Sequence, residues 1–575
     1  TVLELILDIE TNGLKPDTIW CCGVKVIGEP EGELMMTGPD LQAYIDKHKG
    51  AQVYAHNGFR YDYPILRDLW DIDFSDVRLR DSVVMSREAN PRRIGGHSLK
   101  VWGQTLGFPK GVFSDWTKFT PEMGTYCVQD LEVTERLISV VKEELKQPSA
   151  LLEKQVSIII TEQIKHGWKL DMEKCFDLVA KLRERKDDVE NDVHKRFIPV
   201  ASAQKLVVPK VKFDGEVSRV GLSGFSVSDI GGSFTKIRFP QFNLGSRKQI
   251  GEYLVRFGWE PKSKTPTGQP VVDEGALEGS SIPEAQMIAE YLMLEKRIAM
   301  AASWIEAADS NDRVHGHVDP CGAVTGRMTH SKPNLGQVTA PGKPFGAEMR
   351  QCWTVPKGYK LVGCDADALE LRMLAHYMAD KKYIKTVDQG SKDNATDVHS
   401  VNQRAAGIAT RDKAKTFIYA FLYGAGDAKI GSILGQGRAA GASAKKRFMD
   451  SLPALKSLRN RVEKAAAKGY LKGLDGRSIE VRSAHAALNT LLQGAGAVYM
   501  KQVMVMYYAK AKEEGLAFNQ VSVVHDEINV EVREDQAPRL AEIMEEAFEA
   551  AGKHFNLRCP TKGNAKIGLT WYDVH

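Results

Sequence analysis

Acidic residues in the first 130 positions have spacings that could bind divalent metal ions. The run LILDIE ends a hydrophobic strand with Asp8 and Glu10, which are two residues apart and therefore lie on one face of that strand. The segment HNGFRYDYPIL carries Asp62, and YCVQDLEV carries Tyr126 and Asp130 at the i,i+4 spacing of a helix. Carboxylates about 4 Å apart repel by about 4 kcal/mol in a medium of dielectric roughly 20, so a fold that gathers them needs a cation. Oxygen ligands favour Mg²⁺ or Mn²⁺, and pairs of such ions are typical of phosphodiester cleavage.

A second acidic pair lies in the C-terminal half. The segment GCDADALELRMLAHYM puts Asp365 at the end of an apolar strand. The segment VSVVHDEINVEV, residues 521–532, is typical of two strands that meet at a tight turn, and that turn holds His525 and Asp526. We expect Asp526 to meet Asp365 from the neighbouring strand. Two carboxylates from distant parts of the sequence would then hold two Mg²⁺ ions around a reacting α-phosphate.

One helix could bind a nucleoside triphosphate. In RDKAKTFIYAFLYGAG the residues Arg411, Lys415, Tyr419 and Tyr423 are four apart. Each step of four advances about 40° around a helix, so the two cations and the two rings follow one face. An ordinary amphipathic surface helix would explain the Arg–Lys pair alone. The aromatic residues favour a triphosphate lying along the helix, with its base against a ring.

The elements that position these residues change in character along the chain. Up to about residue 145, short β-rich runs alternate with helical segments, which predicts an α/β domain. Residues 151–196 have the pattern of long amphipathic helices. Residues 198–241 are rich in Gly, Ser, Pro and Val, and we expect a small β-rich or irregular projection there. Helix returns from 242 to about 307, and the remainder mixes strands with helices.

Composition limits the class of protein. A chain of 575 residues is too long for one hydrophobic core, and 43% hydrophobic with 26% charged residues predicts folded domains. The net charge of +4 neither requires nor excludes a nucleic-acid partner. The eight cysteines include the adjacent pair Cys21 and Cys22 and no CxxC spacing, so we expect reduced thiols inside a cell. No apolar run approaches the roughly 18 residues of a membrane span, and no basic segment precedes the first apolar run.

The N-terminal motifs resemble the three exonuclease motifs of the DEDDy 3′→5′ proofreading domains, which have an RNase H-like fold. All five residue types of those motifs are present in this chain. The resemblance implies that Asp8, Glu10, Asp62 and Asp130 hold metal ions. It also implies that Tyr126 orients the attacking water.

The C-terminal motifs resemble motifs A, B and C of family A DNA polymerases. The resemblance covers nearly the whole chain, including TGRMTHSKPNLGQV and FNLGSRKQI, and is closest to the replicative polymerases of T-seven-like podophages. It implies an α+β multidomain protein in which an RNase H-like α/β exonuclease domain precedes a right-hand polymerase with palm, fingers and thumb. The implied domains are the exonuclease at 1–145, the thumb at 146–308 with an insertion at about 198–241, the first palm part at 309–372, the fingers at 373–490 and the second palm part at 491–575.

The same resemblance implies roles for individual residues. Asp365 and Asp526 would be the palm metal ligands, with the backbone of Ala366 assisting, and Lys415 would act with them in catalysis. Glu370 would exclude a 2′-hydroxyl. The residues that would bind the nucleotide are Glu370, His399, Arg411, Lys415 and Tyr419. The residues that would contact primer–template DNA, by duplex shape more than by sequence, are Arg327, Asn334, Gln337, Tyr423, Gln493 and His525.

The chain departs from the family pattern at two places. Motif A usually has a small neutral residue where this chain has Asp367, and that acid could bind a cation, point away, or raise a neighbour's pKa. The thumb insertion is shorter than the basic loop that captures host thioredoxin in podophage relatives. It carries six basic and three acidic residues, so it could grip DNA phosphates directly or bind a protein partner. The basic residues are Lys205, Lys210, Lys212, Arg219, Lys236 and Arg238, and the acidic residues are Asp214, Glu216 and Asp229.

The two resemblances imply a template-directed DNA polymerase with 3′→5′ proofreading, acting on dNTPs with two Mg²⁺ ions per site, for which Mn²⁺ could substitute. The resemblance implies a phage enzyme in the cytoplasm of a bacterial host, possible thioredoxin-like and helicase–primase partners, and no membrane. A single-subunit RNA polymerase would lack the N-terminal acids and the Glu370 gate. A repair-type family A polymerase is a further alternative. A nuclease with a binding module, or a purely structural DNA-binding protein, would not need Asp365, Lys415 and Asp526 together.

Overall fold

The computed structural model describes residues 2–91, 93–142, 148–220, 222, 224–261, 263–277 and 279–575. The chain forms two compact units. One unit contains the chain up to Asp171 together with Ala307–His575, and the other is Met172–Glu306. The domain boundary expected between residues 145 and 146 lies outside the described residues.

The N-terminal region of the first unit contains the α/β elements that the sequence predicts, and they are arranged around a mixed five-stranded sheet. Its strand order is β3-β2-β1-β4-β5, with β1 antiparallel to β2 and parallel to β4. Apolar residues on both faces of β1 are buried, because helices cover the sheet. The elements are β1 (Glu4–Thr11), β2 (Ile19–Val26), β3 (Glu33–Met35), α1 (Gly38–Lys47), β4 (Gln52–Ala55), α2 (Asp62–Trp70), β5 (Arg78–Asp81), α3 (Ser82–Ala89), α4 (Leu99–Thr105), α5 (Pro121–Val141), α6 (Pro148–His166) and β6 (Trp168–Leu170).

The second unit consists mainly of helices and carries a two-stranded ribbon. The ribbon pairs β7 with β8 in antiparallel fashion within the segment expected to be β-rich. Several large apolar side chains of that segment face solvent, and Phe213 is fully exposed. The elements are α7 (Met172–Arg196), β7 (Ser202–Val207), β8 (Phe234–Arg238), α8 (Arg247–Arg256), α9 (Glu274–Leu277) and α10 (Pro283–Ala307).

The C-terminal part of the first unit is built on a four-stranded antiparallel sheet. Its order is β16-β17-β13-β18, and α19 and α20 pack on it around a large apolar core. A second sheet has the order β12-β6-β9. The ring of Trp168 in β6 lies 5.3 Å from that of Trp353 in β12 and 5.0 Å from that of Trp571. The strands are β9 (Arg313–Val314), β10 (His317–Asp319), β11 (Thr329–Ser331), β12 (Trp353–Thr354), β13 (Tyr359–Ala366), β14 (Tyr470–Lys472), β15 (Ser478–Glu480), β16 (Phe518–Val524), β17 (Glu527–Arg533) and β18 (Gly563–Gly568).

Helices between β13 and β14 form a bundle next to this sheet, and the long α19 follows them. The helix that carries the predicted cation–aromatic face, α15, begins after Thr410, whose hydroxyl accepts the Lys413 amide N–H. The helices are α11 (Gly346–Gln351), α12 (Leu369–Met378), α13 (Lys381–Gln389), α14 (Val398–Ala406), α15 (Arg411–Leu422), α16 (Asp427–Leu434), α17 (Arg438–Ser451), α18 (Pro453–Ala466), α19 (Ala487–Glu513), α20 (Ala537–His554) and α21 (Trp571–Val574). Among the described helices, none combines the length and the apolar character needed to cross a bilayer.

Candidate active sites

The hairpin of β16 and β17 brings the predicted acidic pair together. β16 ends at Val524 and β17 begins at Glu527, so His525 and Asp526 form the turn that the sequence predicts. β13 runs antiparallel to β17 with Asp365 opposite Glu527, and the Ala366 amide N–H donates to the Asp526 carbonyl at 2.9 Å. His525 adopts a left-handed backbone with φ of 57°, which is uncommon for a residue with a side chain. The register therefore places both carboxylates at one end of the sheet.

The electrostatics of this pair fit a cation site. Burial and the charges of Asp526 and Glu527 raise the pKa of Asp365 to about 7. Burial also raises the pKa of Asp526. The donor atoms at this end of the sheet are carboxylate and main-chain oxygens, which are the ligands that hard divalent cations prefer. The pair can therefore hold such ions, because a bound cation would offset the repulsion between the two carboxylates.

The third acid of the turn region, Glu527, is held by hydrogen bonds inside the protein. Its carboxylate accepts from the Trp571 indole N–H at 2.7 Å and from the Asn529 amide at 2.7 Å, and it contacts the His575 ring at 2.8 Å. Burial opposes its ionisation, but the His575 and Asn529 hydrogen bonds hold the pKa of Glu527 below its usual range. Glu527 therefore has a structural role beside the acidic pair.

Asp367 forms an ion pair with Arg372. The Arg372 side chain is only 2% exposed, and its guanidinium contacts the Asp367 carboxylate at 2.6 Å and Asp388 at 3.1 Å. It also donates to the main-chain oxygens of Asp367 and Pro560. This ion pair is a fourth arrangement, which the three possibilities considered for the extra acid of motif A did not include.

A cleft of about 570 Å³ lies in front of the acidic pair. Glu370 lies in its wall and accepts from the Tyr423 hydroxyl at 2.5 Å and from the Arg327 guanidinium at 3.3 Å. Eight of the residues predicted from the sequence line this cleft. They are Arg327, Asp365, Ala366, Glu370, Tyr419, Tyr423, His525 and Asp526.

The cations predicted on α15 differ in their surroundings. Arg411 makes an ion pair at 2.8 Å with Asp397, the residue that caps α14. Lys415, one turn further along, is exposed to solvent. The His399 ring lies 6.1 Å from the Tyr419 ring, and burial together with the charge of Arg411 lowers the pKa of His399. Along this face of α15, the two cations are therefore followed by Tyr419 and Tyr423, which line the cleft.

Three residues predicted to contact DNA do not line the cleft. Asn334 immediately precedes a short helical turn that contains the exposed Gln337. Gln493 lies on α19 and donates to Asn489 at 2.9 Å. The sequence interpretation missed Lys501, which lines the cleft and makes a buried ion pair with Glu153. A lysine within the apolar run GAGAVYMKQVM is the signal that could have revealed it.

The N-terminal acids are also gathered into one cluster. Burial, followed by the charges of Glu10, Asp130 and Asp62, raises the pKa of Asp8 well above its usual range. Burial and Asp130 raise the pKa of Glu10 to about 8, and burial raises that of Asp62 to about 7. The Glu10 Oε1 atom is buried and has no hydrogen-bond partner among the described residues. Asp62 accepts the Ile9 amide N–H at 3.2 Å, which ties the start of α2 to β1.

Two residues of this cluster were missed in the sequence interpretation. The Lys110 ammonium contacts the Asp130 carboxylate and lies 4.8 Å from the centre of the Tyr126 ring. Its loop contains no metal-ligand pattern, and its position depends on packing against α5. The thiol of Cys127 lies beside Asp8 and Glu10, and one potential ligand atom from each of these three residues lies within 4.8 Å of the others.

Comparisons with known proteins agree with the sequence resemblance. Residues 227–573 match the family described as DNA polymerase family A. The DNA-directed DNA polymerases of Enterobacteria phage T3 and Escherichia phage T7 are each 31% identical to this chain, in alignments of 710 positions, gaps included, that cover 99% of the chain and all of each relative. DNA polymerase I of Aquifex aeolicus is 24% identical over 86% of the chain and 90% of its own length.

A solved structure supports the polymerase fold independently of sequence. The POL domain of Pol1 from M. smegmatis, in complex with DNA primer-template and dNTP, matches with a TM-score of 0.78. The match covers 100% of this chain and 96% of that structure at 18% identity, so it shows the fold alone. From the family match and the phage relatives together, the chain belongs to DNA polymerase family A, which confirms the resemblance to the polymerases of T-seven-like podophages.

Proposed function

We propose that this family A polymerase is a phage replicative enzyme that extends primer–template DNA with dNTPs and uses two Mg²⁺ ions. The observation that carries the proposal is the meeting of Asp365 and Asp526 across β13 and the hairpin turn, at the end of the large cleft. Bound divalent cations would lower the pKa of the primer 3′-hydroxyl and support the leaving pyrophosphate. Asp365, Asp526 and the Ala366 carbonyl would hold them.

Residues of the cleft provide positioning and selection. Lys415 is exposed on α15, where its ammonium can bind the triphosphate, and Tyr419 lies further along the same face. The Glu370 carboxylate, held by Tyr423 and Arg327, would exclude a ribose 2′-hydroxyl. The residues proposed for primer–template contact are Arg327, Asn334, Gln337, Gln493 and His525.

The palm assignment is tested by charge-neutral variants of the two acids. Asp365→Asn and Asp526→Asn should each reduce single-nucleotide addition to below about a hundredth of the wild-type rate, because losing a metal ligand removes several kcal/mol of transition-state stabilisation. Primer–template binding, measured by fluorescence anisotropy, should remain nearly unchanged. Extension at a rate close to wild type by either variant would defeat the assignment.

We also propose that the N-terminal cluster is a 3′→5′ exonuclease that proofreads the polymerase product. The raised pKa values of Asp8, Glu10, Asp62 and Asp130, the last three of which are buried, support this proposal, and Tyr126 lies on the same helix as Asp130. Asp8, Glu10, Asp62 and Asp130 would hold the cations, and Tyr126 would orient the attacking water.

The exonuclease proposal is tested by removing two acids of β1. Asp8→Ala combined with Glu10→Ala should abolish degradation of single-stranded 3′ ends and raise the error frequency of synthesis. Primer extension by the double variant serves as the control, because the palm acids are untouched. Continued digestion of single strands would show that another part of the chain, or a contaminant, cleaves the substrate.

A further inference from the structure

A buried charge network lies next to one wall of the large cleft. The network consists of Glu153 on α6, Lys501 on α19, and Asp475 and Arg477 in the turn between β14 and β15. Each of these side chains is at most 9% exposed. The Glu153 Oε1 atom accepts from the Lys501 ammonium at 2.5 Å and from the Arg477 guanidinium at 2.7 Å. Lys501 also lines the cleft, so the network reaches the cleft wall.

Two acids and two bases balance the charge of the network. Burial opposes the ionisation of Glu153, but the charges of Lys501 and Arg477 hold its pKa below its usual range. Apolar residues in place of a buried ion pair are often equally stable, so such a network is weak evidence of a purely stabilising role. The contacts of the network with the cleft wall indicate a role in positioning.

Arg477 packs against the turn that carries Arg327. In this turn, residues 323–327, the Gly326 amide N–H donates to the Ala323 oxygen at 2.9 Å, and the Ala323 amide N–H donates to the Arg327 oxygen at 3.1 Å. We name these five residues the cleft turn. Gly326 has a φ of 78°, and a Cβ atom added to it would lie 2.9 Å from the Arg477 Nη1 atom. The guanidinium therefore packs directly against the main chain of the cleft turn.

The three nitrogens of the Arg477 guanidinium are all used by the two acids of the network. Nη1 donates to Glu153 at 2.7 Å, whereas Nε and Nη2 donate to Asp475 at 3.0 and 2.7 Å. This arrangement fixes the plane of the guanidinium as well as its position. A lysine would keep the charge, but its single nitrogen could not hold both acids in this geometry.

We propose that Arg477 is a positioning residue that acts through Arg327. The two acids of the network fix the guanidinium, the guanidinium supports the cleft turn, and the turn sets the direction in which Arg327 reaches Glu370. That contact measures 3.3 Å between the Arg327 guanidinium and the Glu370 carboxylate. The consequence for activity rests on the proposed exclusion of a ribose 2′-hydroxyl by Glu370. A displaced Arg327 no longer holds this carboxylate, so the selection of dNTP over rNTP weakens.

The inference is tested in the full chain with Arg477→Lys. Hydrogen–deuterium exchange of peptides that span residues 322–330 should be faster than in wild type, because the cleft turn loses its support. In single-nucleotide addition, the ratio of kcat/KM for dNTP to that for rNTP should fall by about threefold to tenfold. When Arg477→Lys is added to Arg327→Ala, the ratio should fall no further, because both substitutions remove the same contact. Arg313→Lys is the matched control, since Arg313 also binds a buried acid, Glu531, through two nitrogens, and Glu531 lies on β17 outside the network.

The outcomes separate this inference from the proposed function. Exchange of residues 322–330 at the wild-type rate, or a fall in discrimination that multiplies with that of Arg327→Ala, overturns the inference. If Arg477→Lys melts below the assay temperature, Asp475→Asn decides by the same two criteria, because it weakens the hold on the guanidinium and keeps the arginine. Unchanged discrimination in both Glu370→Ala and Arg327→Ala contradicts the proposed exclusion of the 2′-hydroxyl, and faster exchange in Arg477→Lys then still supports the positioning of the cleft turn. Wild-type discrimination in Arg477→Lys, beside reduced discrimination in Glu370→Ala, overturns the positioning role and leaves the exclusion by Glu370 intact.

Discussion

In the absence of divalent metal, replacing Asp365 with Asn should stabilise the protein at alkaline pH. The Asp365 carboxyl titrates near 7 in the folded chain and near its ordinary value of 3.8 when unfolded, because burial and the charges of Asp526 and Glu527 oppose its ionisation. Between these pH values the folded state binds more protons than the unfolded state. Stability therefore falls as pH rises from about 4 to 7, and the loss is complete above pH 7.

The size of the effect follows from the shift. A rise from 3.8 to about 7 corresponds to at most about 4 kcal/mol at roughly 1.4 kcal/mol per pKa unit. Solvent reaches the partly exposed carboxylate and screens the repulsion, so we expect about 1–2 kcal/mol. For a chain of 575 residues, with an unfolding entropy of about 2.1 cal/mol/K per residue, that free energy corresponds to a rise of about 1–2 °C in Tm.

The measurement is a set of thermal melts in EDTA at pH 8 and pH 5. Asp365→Asn should melt above wild type at pH 8, and the difference should be smaller at pH 5, because protonation of the folded wild-type carboxyl relieves the repulsion. Asp367→Asn is the matched control, because it removes an ion pair to the buried Arg372 at 2.6 Å and should melt below wild type at both pH values. If Asp365→Asn does not melt above wild type at pH 8, or if the difference in Tm is the same at both pH values, the reasoning is refuted.

Two further predictions concern selectivity and processivity. Glu370→Ala should ease ribonucleotide incorporation by opening space beside the 2′ position; a discrimination ratio between dNTP and rNTP equal to wild type would show that another side chain excludes the hydroxyl. Replacing residues 202–238 with a short Gly-Ser link should spare single-nucleotide addition, shorten the products made per binding event and flatten their salt dependence, because the segment has three more basic than acidic residues. If the deletion leaves product length unchanged, while added thioredoxin lengthens the products of the intact enzyme, the ribbon is a docking surface for that protein, a role that its exposed Phe213 would suit.

Short-range patterns in the sequence were sufficient to predict the elements that carry the chemistry. Strand alternation on both sides of His525 and Asp526 predicted the hairpin, and the two-residue spacing of Asp8 and Glu10 placed both acids on one face of β1. The four-residue spacing on α15 predicted a shared helix face for Lys415. These predictions succeeded because the periods of strands and helices are local properties of the backbone.

The neighbours of those residues could not be predicted in the same way. The extra acid of motif A allowed three interpretations, and only the packed structure shows Asp367 paired with Arg372. Lys110 reaches Asp130 from a loop with no motif. The sequence by itself therefore determined the family, the elements and the candidate ligands. Only the tertiary structure showed which acids form ion pairs, which acids lie close to other acids, and that the Cys127 thiol lies beside Asp8 and Glu10. These properties depend on contacts between residues far apart in the chain.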